Sequence, residues 1–294
     1  MIQSKKFGDR AVSGVSLTVV TVMMALCALP ILHIIALSLS DKSVAMAGMV
    51  SFWPIKPTAA AYSMILTDQR FLRSFLNSVE RVLLGGSINM FFVITMGYPL
   101  SRSKRYFPQR NLYIWLLLFT MLFSGGIVPL YLVVYRLGLL DSIWSLVLPC
   151  AVPAYNVILL MNYFRNLPEE INEAARIDGA GAWRIMLQIN VPLAIPCLAT
   201  IALFTVVGHW NAFFDGAIYI NTVSKLPLQT YIQQLVIDMR STNLTLYERQ
   251  LMDSVSGKSF NAAKVLVAMF PLLAIYPFVQ KFFVKGIVLG SVKG

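Results

Sequence analysis

The stretch NLYIWLLLFTMLFSGGIVPLYLVVY, residues 111–135, contains no charged side chain. A helix needs about 20 consecutive apolar residues to cross the hydrocarbon core of a bilayer. Residues 111–135 exceed that length, and a chain of 294 residues folded in water has no core that would bury several such stretches. The stretch therefore predicts a membrane-spanning helix.

Five further stretches without Asp, Glu, Lys or Arg lie on either side of it: residues 11–40, 82–101, 142–164, 185–214 and 265–280. The last is short, but Lys264 and Lys281 flank it, and long cationic side chains extend toward the membrane interface. All of these stretches are continuously apolar, which favours helices over a β-barrel. The predicted fold class is all-α: a polytopic membrane protein with six transmembrane helices in a domain at residues 15–284.

The composition agrees with a membrane protein, since 57% of the residues are hydrophobic, 13% are charged and the mean hydropathy is +0.70. The first apolar stretch follows basic residues, as in a signal peptide, but it is too long and lacks a convincing cleavage site, so we expect an uncleaved anchor. Cys27 follows Leu26 instead of the small residue of a lipoprotein site. We expect the cysteines to be unpaired thiols in apolar surroundings.

Short loops indicate the orientation. Residues 102–110 carry four basic residues and no acidic one, whereas residues 137–141 carry no basic residue. Basic residues in short loops are typical of the cytoplasmic side. We therefore predict that both termini are cytoplasmic, the first at residues 1–14 and the tail at residues 285–294. Two long segments are then external and are candidates for docking an external partner: residues 41–74 and 216–261.

The net charge of +11 is spread along the predicted membrane borders, which favours anionic lipid as its partner and not nucleic acid. No catalytic constellation is found. Residues 257–259 read Gly-Lys-Ser, but Met252 stands where the first glycine of an ATPase phosphate loop is needed. His33 and His209 belong to no cluster with metal-ligand spacing. The sequence predicts no catalytic residue, no metal site and no cofactor in this chain.

The loop at residues 165–190 is the longest predicted cytoplasmic segment and contains PEEINEAARIDGAG, residues 168–181. Pro168 suits the first turn of a helix, the two glutamates complement its positive end, and Gly179 can end it in a left-handed conformation. Two alanines make the helix thin. The pattern predicts a short surface helix that enters a groove of another protein; the alternative is an ordinary solvated amphipathic helix.

The spacing of Glu173-Ala174-Ala175, Gly179 and Ile189-x-Val191-Pro192 resembles the EAA loop of ABC importer permeases. That family has leucine where this chain has Val191, a conservative difference. The resemblance covers nearly the whole chain. It is greatest to the sugar-importer branch, in particular to one half of a maltose-type heterodimeric permease. Its further features are Asn77-Ser78, His209-Trp210-Asn211 and the glycine- and lysine-containing tail from Phe282 to Gly294.

The resemblance implies a type I ABC importer permease fold in a bacterial cytoplasmic (inner) membrane. It implies these partners: a second homologous permease, two cytoplasmic ATPase subunits that bind ATP and Mg, and an external solute-binding protein. The ATPase-coupling residues would be Glu173, Ala174, Ala175, Arg176, Asp178 and Gly179. The tail would contact the ATPase dimer through Gly290, Lys293 and Gly294, unless it is only a frayed terminus.

A translocation path is predicted at the outer half of the fifth span, through Trp210, Asn211, Asp215 and Tyr219. Aromatic rings stack on sugars, and amides or carboxylates bind hydroxyl groups. The alternative is that the two aromatic residues belong to the interfacial belt and the asparagine to a helix contact. The resemblance implies an oligosaccharide substrate, with acidic fragments such as alginate or pectin oligosaccharides as candidates.

Two other functions stay open. A secondary transporter driven by an ion gradient would have ionisable residues buried in its spans and internal repeats, and the sequence shows neither strongly. A passive membrane scaffold explains the spans but not the loop and the tail.

Overall fold

A computed structural model describes residues 7–238 and 256–291, and in these ranges the chain is helical and has no β-strand. The α-helices are α1 (Phe7–Ser38), α2 (Lys42–Met46), α3 (Ala60–Thr67), α4 (Gln69–Ser101), α5 (Arg110–Leu122), α6 (Ile127–Arg136), α7 (Trp144–Val147), α8 (Ala154–Arg165), α9 (Glu169–Ile177), α10 (Ala182–Ile185), α11 (Val191–Leu193), α12 (Ile195–Asn211), α13 (Phe214–Tyr219), α14 (Leu228–Asp238) and α15 (Gly257–Ser291). Short 3₁₀ turns at Leu148–Cys150 and Val223–Lys225 and a π-helix at Met186–Asn190 complete the described elements. The all-α prediction is confirmed.

Membrane-length helices occur in two forms. Three are continuous and apolar enough to span: Val12–Ser38, Gln69–Ser101 and Gly257–Ile275. Three others are pairs of helices bent at a short break, α5 with α6 by 113°, α7 and its 3₁₀ turn with α8 by 44°, and residues 182–193 with α12 by 81°. If each bent pair is one span, the described chain has six, so the six-span count remains a prediction.

Glycine and proline account for the breaks. Residues 111–135, expected as one helix, form two helices on either side of Gly126, whose φ of +88° is open to glycine and costly for other residues. No atom lies within 4 Å of a Cβ built on Gly126, so this glycine serves the turn and not close packing. Pro192 and Pro196 flank the break before α12, where missing N–H groups interrupt the helical ladder.

The described chain divides into two compact units. Among the described residues the first comprises 7–69, 234–238 and 256–269, and Ser40 makes several of its hydrogen bonds. The Ser40 hydroxyl donates to the carbonyl of Ala36 (2.7 Å) and accepts from the amide of Ile55 (3.1 Å), while its carbonyl accepts from the Ser259 hydroxyl (3.3 Å). These bonds fold the segment after α1 back onto the end of that helix.

The second unit comprises the described residues 70–233 and 270–291. Its core brings together α4, α8 and α12, whose Val93, Leu160 and Ile201 are fully buried. Asn77 donates to the carbonyls of Ser224 (2.9 Å) and Leu226 (3.1 Å), and the adjacent Ser78 accepts from the amide of Leu228. The Asn77-Ser78 pair therefore holds the segment before α14 against α4.

Candidate functional site

The helix α9 lies where the sequence predicts the coupling helix. Pro168 stands one residue before it, and Glu169 and Glu170 occupy its first turn, where carboxylates stabilise the positive end of a helix. Gly179 follows its last turn with a φ of +79°. The amide of Gly179 donates to Arg176 and that of Ala180 to Ala175, the Schellman pattern of a helix that ends at a glycine.

One face of α9 is anchored to the rest of the chain. Asn172 and Ala175 are buried, and the Asn172 Oδ1 accepts a hydrogen bond of 2.8 Å from Asn190 Nδ2. Asn190 is the last residue of the π-helix that leads into α11 and α12. It also donates to the carbonyl of Ile185 (3.1 Å), the last residue of α10. Because a buried amide that loses its partner is costly, this pair fixes α9 relative to the helix that follows the loop.

The opposite face of α9 is exposed. Glu173 and Ala174 lie there, followed by Asp178 and Gly179 in the turn after the helix. The side chain of Ile177 is 87% exposed, although isoleucine is among the residues most often buried. A thin, capped helix with an apolar tip is suited to insertion into a groove.

Arg176 turns away from that exposed face. Its guanidinium lies 3.7 Å from the centre of the Tyr106 ring, in the loop between α4 and α5. A cation held over an aromatic ring stabilises the contact between their two segments by about 0.5–2 kcal/mol. In this chain Arg176 therefore joins α9 to the α4–α5 loop, and Ala175 faces the core; only part of the predicted coupling set is available on the surface.

Two of the four predicted path residues, Asp215 and Tyr219, line one cavity of about 140 Å³. Trp210 is buried and its ring meets that of Phe75 edge to face, with centroids 5.6 Å apart, whereas the neighbouring Asn211 is exposed. Tyr219 is buried and stacks on Tyr131 at 6.2 Å. These rings pack within the second unit, and their role in a path stays a prediction.

Asp215 has a partner that sequence reasoning did not find. The Arg81 guanidinium, 1% exposed in the middle of α4, forms a two-pronged ion pair with both oxygens of the Asp215 carboxylate at the start of α13. It also donates to the carbonyl of Ala212 (3.3 Å), while its Nε has no hydrogen-bond partner. A two-pronged pair of this kind is among the strongest polar contacts in proteins.

Arg81 and Asp215 line a cavity of about 290 Å³ in the second unit. Asn89 also lines it and donates to the carbonyls of Cys150 (2.7 Å) and Ala151 (2.9 Å), so its oxygen must accept from His209 Nε2 at 2.9 Å. The wall thus combines a charged pair, amides and an imidazole. Such convergent polar groups in a membrane domain are typical of a solute pathway.

Gly85 provides a test of this packing. A Cβ on Gly85 would lie 2.5 Å from His209 Cε1, and His209 is held by its bond to Asn89; a Cβ on Gly86 would meet nothing within 4 Å. We expect Gly85→Ala to lower the unfolding free energy by about 1–3 kcal/mol relative to Gly86→Ala, because both gain the same helix propensity and only the first overpacks. Thermal unfolding of the purified variants measures the difference, and equal unfolding temperatures would contradict it.

A second polar cluster holds the segment after α13. The Asp141 carboxylate, in the loop between α6 and α7, accepts from the amides of Asn221 (3.1 Å) and Thr222 (2.9 Å), from the Thr222 hydroxyl (2.7 Å) and from Lys225 Nζ (2.8 Å). These bonds, that of Lys225 first, hold the pKa of Asp141 below its usual range. The carboxylate is therefore ionised at neutral pH, and this clasp is lost only in strong acid.

Of the three tail residues predicted to contact the ATPases, the structure describes only one. Gly290 lies in the last turn of α15, and Lys293 and Gly294 fall outside the described residues. Within residues 7–238 and 256–291, no group of three or more His, Cys, Asp or Glu side chains is arranged to hold a metal ion.

Comparisons with known proteins give one family model and, among other matches, two similar proteins and one solved structure. The family model described as "Binding-protein-dependent transport system inner membrane component" matches residues 3–288. Protein LplC of Bacillus subtilis is 40% identical over 92% of this chain and 90% of its own length. The polygalacturonan/rhamnogalacturonan transport system permease protein YtcP of the same organism is 39% identical over 92% and 93%. A crystal structure of a bacterial ABC transporter involved in the import of the acidic polysaccharide alginate matches 96% of this chain and 100% of its own, with 28% identity and a TM-score of 0.88.

Proposed function

Because this chain belongs to the family of inner membrane components of binding-protein-dependent transport systems, we propose that it is the permease subunit of an ATP-driven importer of acidic oligosaccharides. The family membership and the importer likeness confirm the resemblance to sugar-uptake permeases that the loop sequence predicted. The observation that carries the ATP-driven step is α9, a helix that is anchored on one face and exposes Ile177 on the other.

Coupling through α9 follows from its two faces. An ATPase subunit that closes around ATP would grip the exposed face, with Ile177 in its groove and Glu173 at the rim. The movement would reach α12 because the Asn172–Asn190 pair ties α9 to the start of that helix. A partner changes the conformation of a permease only if it binds one state more tightly than the other, and a rigid, capped helix transmits that difference.

The proposed assembly contains a second permease subunit, two ATPase subunits and an external solute-binding protein. ATP and Mg bind to the ATPase subunits, and this chain is non-catalytic. Both termini and α9 lie on the cytoplasmic side, and the tail with Lys293 and Gly294 contacts the ATPases.

The proposed substrate class is supported by two similar proteins and by the residues that line one cavity. One relative bears the name of a polygalacturonan/rhamnogalacturonan transport system, and the matching crystal structure is of an alginate importer. The cavity is lined by the Arg81–Asp215 pair, whose guanidinium keeps an unpartnered Nε donor from which a uronate carboxylate could accept, and by the amide of Asn156, which suits hydroxyl groups. We propose that acidic oligosaccharides pass this cavity and that Asn211 and Asp215 lie along the route.

The Arg81–Asp215 pair also favours a second candidate, a secondary transporter, since such proteins use buried ionisable residues to couple ion movement. The two candidates differ in their energy source. An importer needs ATP and a loaded binding protein, whereas a secondary transporter needs only an ion gradient.

Reconstitution decides between them. The chain is co-expressed with a partner permease and ATPase of the same organism and placed in nanodiscs. ATP hydrolysis is then assayed with binding protein that is empty or loaded with galacturonate or alginate oligosaccharides. We expect the loaded protein to stimulate hydrolysis. A chain that purifies alone and transports on an ion gradient would contradict the importer.

A further inference from the structure

A cavity of about 250 Å³ lies in the second unit where α4 and α8 end and α9 begins. Three arginines line it, Arg102, Arg110 and Arg165, together with Ser101 and Ser103. The cavity is separate from the one beside Arg81 and shares no lining residue with it.

The charge of this cavity is unbalanced. Glu169 is the one carboxylate in its lining, against three arginines. Among the described residues, no ion pair within 4.0 Å joins Arg102, Arg110 or Arg165 to a carboxylate. The cavity therefore carries a net positive charge of two from its lining side chains, three arginines less one glutamate.

The arginines are held in place by uncharged groups. Arg110 donates to the carbonyl of Arg102 (2.6 Å), Arg165 to that of Leu100 (3.2 Å), and Arg102 to the hydroxyl of Ser101 (3.1 Å). A guanidinium has five N–H donors, so each arginine keeps further donors for a ligand. The side chains are thus positioned in advance, with capacity to spare.

The electrostatic surroundings of Arg102 support the same view. Burial lowers the pKa of Arg102, and the nearby positive charge of Arg176 lowers it further, while Tyr98 and Glu169 act in the opposite direction. A bound anion would relieve both effects. Arginine clusters that converge in this way are suited to an oxyanion with several oxygens, because each guanidinium binds two of them in a fixed plane.

We propose that this cavity binds a phosphate-type oxyanion, carried by an anionic lipid headgroup or by free phosphate. The volume exceeds that of several water molecules, at about 30 Å³ each, and so admits a phosphate group with part of what it is attached to. The cavity adjoins the last residues of two membrane-length elements, which is the depth of a lipid headgroup. A lipid of the adjoining leaflet is thus within reach.

The site would act on the coupling helix. Glu169 and Asn172, both in α9, line the same cavity as the three arginines, which lie in the α4–α5 loop, at the start of α5 and at the end of α8. An anion that neutralises the arginines removes a repulsion that would otherwise push these segments apart. Occupancy therefore stabilises α9 in the position from which it meets its partner.

The test uses the full-length chain in mild detergent. Native mass spectrometry compares retention of phosphatidylglycerol and phosphatidylcholine by the wild type, by Arg165→Gln and Arg110→Gln, and by the control Arg105→Gln, which removes the same charge from an exposed position outside the cavity. We expect wild type and control to retain phosphatidylglycerol preferentially, and each cavity variant to lose about tenfold in retention.

A parallel arm identifies the source of the phosphate. Thermal unfolding is measured in sodium phosphate and in sodium chloride at equal ionic strength. A shift by phosphate in wild type and control but not in the cavity variants, without selective lipid retention, assigns the site to free phosphate. The proposal fails if neither ligand distinguishes the cavity variants from Arg105→Gln. Because two variants are compared, a misfolded one does not decide the result, and neither measurement depends on ATP or on transport.

Discussion

Replacing Ile177 with aspartate is expected to reduce ATP hydrolysis stimulated by loaded binding protein about ten- to a hundredfold. Ile177 is 87% exposed in this chain, so the substitution removes no internal contact. If the side chain is buried in the groove of an ATPase subunit, it contributes about 1.5–3 kcal/mol to docking, and a carboxylate at that position must also be desolvated. Hydrolysis by the purified complex in nanodiscs measures the loss.

Two controls separate docking from folding. Ile177→Leu keeps an apolar side chain of similar volume and is expected to retain most of the stimulation. The unfolding temperature of the isolated permease is expected to be the same for Ile177→Asp as for the wild type, because substitutions at exposed sites change stability by no more than about 0.5 kcal/mol. An Ile177→Asp complex that assembles and is stimulated normally would refute the coupling role of α9.

Local chemistry made the coupling helix predictable. The glutamates and Gly179 specify where α9 begins and ends through interactions within a few residues, and the structure has its boundaries there. The apolar stretches predicted where the membrane-length elements lie for another reason, because the thickness of the bilayer sets their length. Family membership could be read from the same loop, because its spacing is contained in one short segment.

The contacts that could not be predicted join distant parts of the chain. In the sequence, Arg81 marks the boundary of the apolar stretch at residues 82–101, because an isolated charge is costly in a membrane. The structure instead begins α4 at Gln69, which puts Arg81 inside a helix of 33 residues. Its cost is offset by Asp215, 134 positions away, and no local pattern reveals that pairing.

The bends within the membrane-length elements could not be predicted from the sequence either. In a sequence, a pair such as Gly125-Gly126 is equally consistent with close packing and with a hinge, since both uses exploit the missing side chain. The 113° bend with a positive φ at Gly126 decides for the turn, whereas Gly85 has the opposite use, against His209. What a glycine does depends on whether another element approaches it, and that is a property of the tertiary structure.

Breaking the Arg81–Asp215 pair is expected to have the largest effect on stability. Asp215→Asn leaves the buried Arg81 guanidinium without its partner, and such a loss costs about 3–5 kcal/mol. Arg81→Met leaves the Asp215 carboxylate, which is 23% exposed, and should cost less. The double variant leaves neither charge and should recover most of that loss. Thermal unfolding of the three variants measures this, with Arg73→Met, an exposed arginine of the same helix, as the control expected to behave like the wild type. Additive losses in the double variant would show that the two charges do not stabilise one another.

The same double variant separates packing from transport. If the pair only holds α13 to α4, restoring stability also restores import. If Arg81 attracts uronate carboxylates in the cavity that it lines, the stable double variant should still import acidic oligosaccharides at least about tenfold more slowly, since a hydrogen bond to a charged group is worth about 1.5–3 kcal/mol. Uptake by proteoliposomes that contain the assembled complex measures this. Because the expected defect persists after stability has recovered, wild-type uptake by the double variant would remove the cavity from the translocation path.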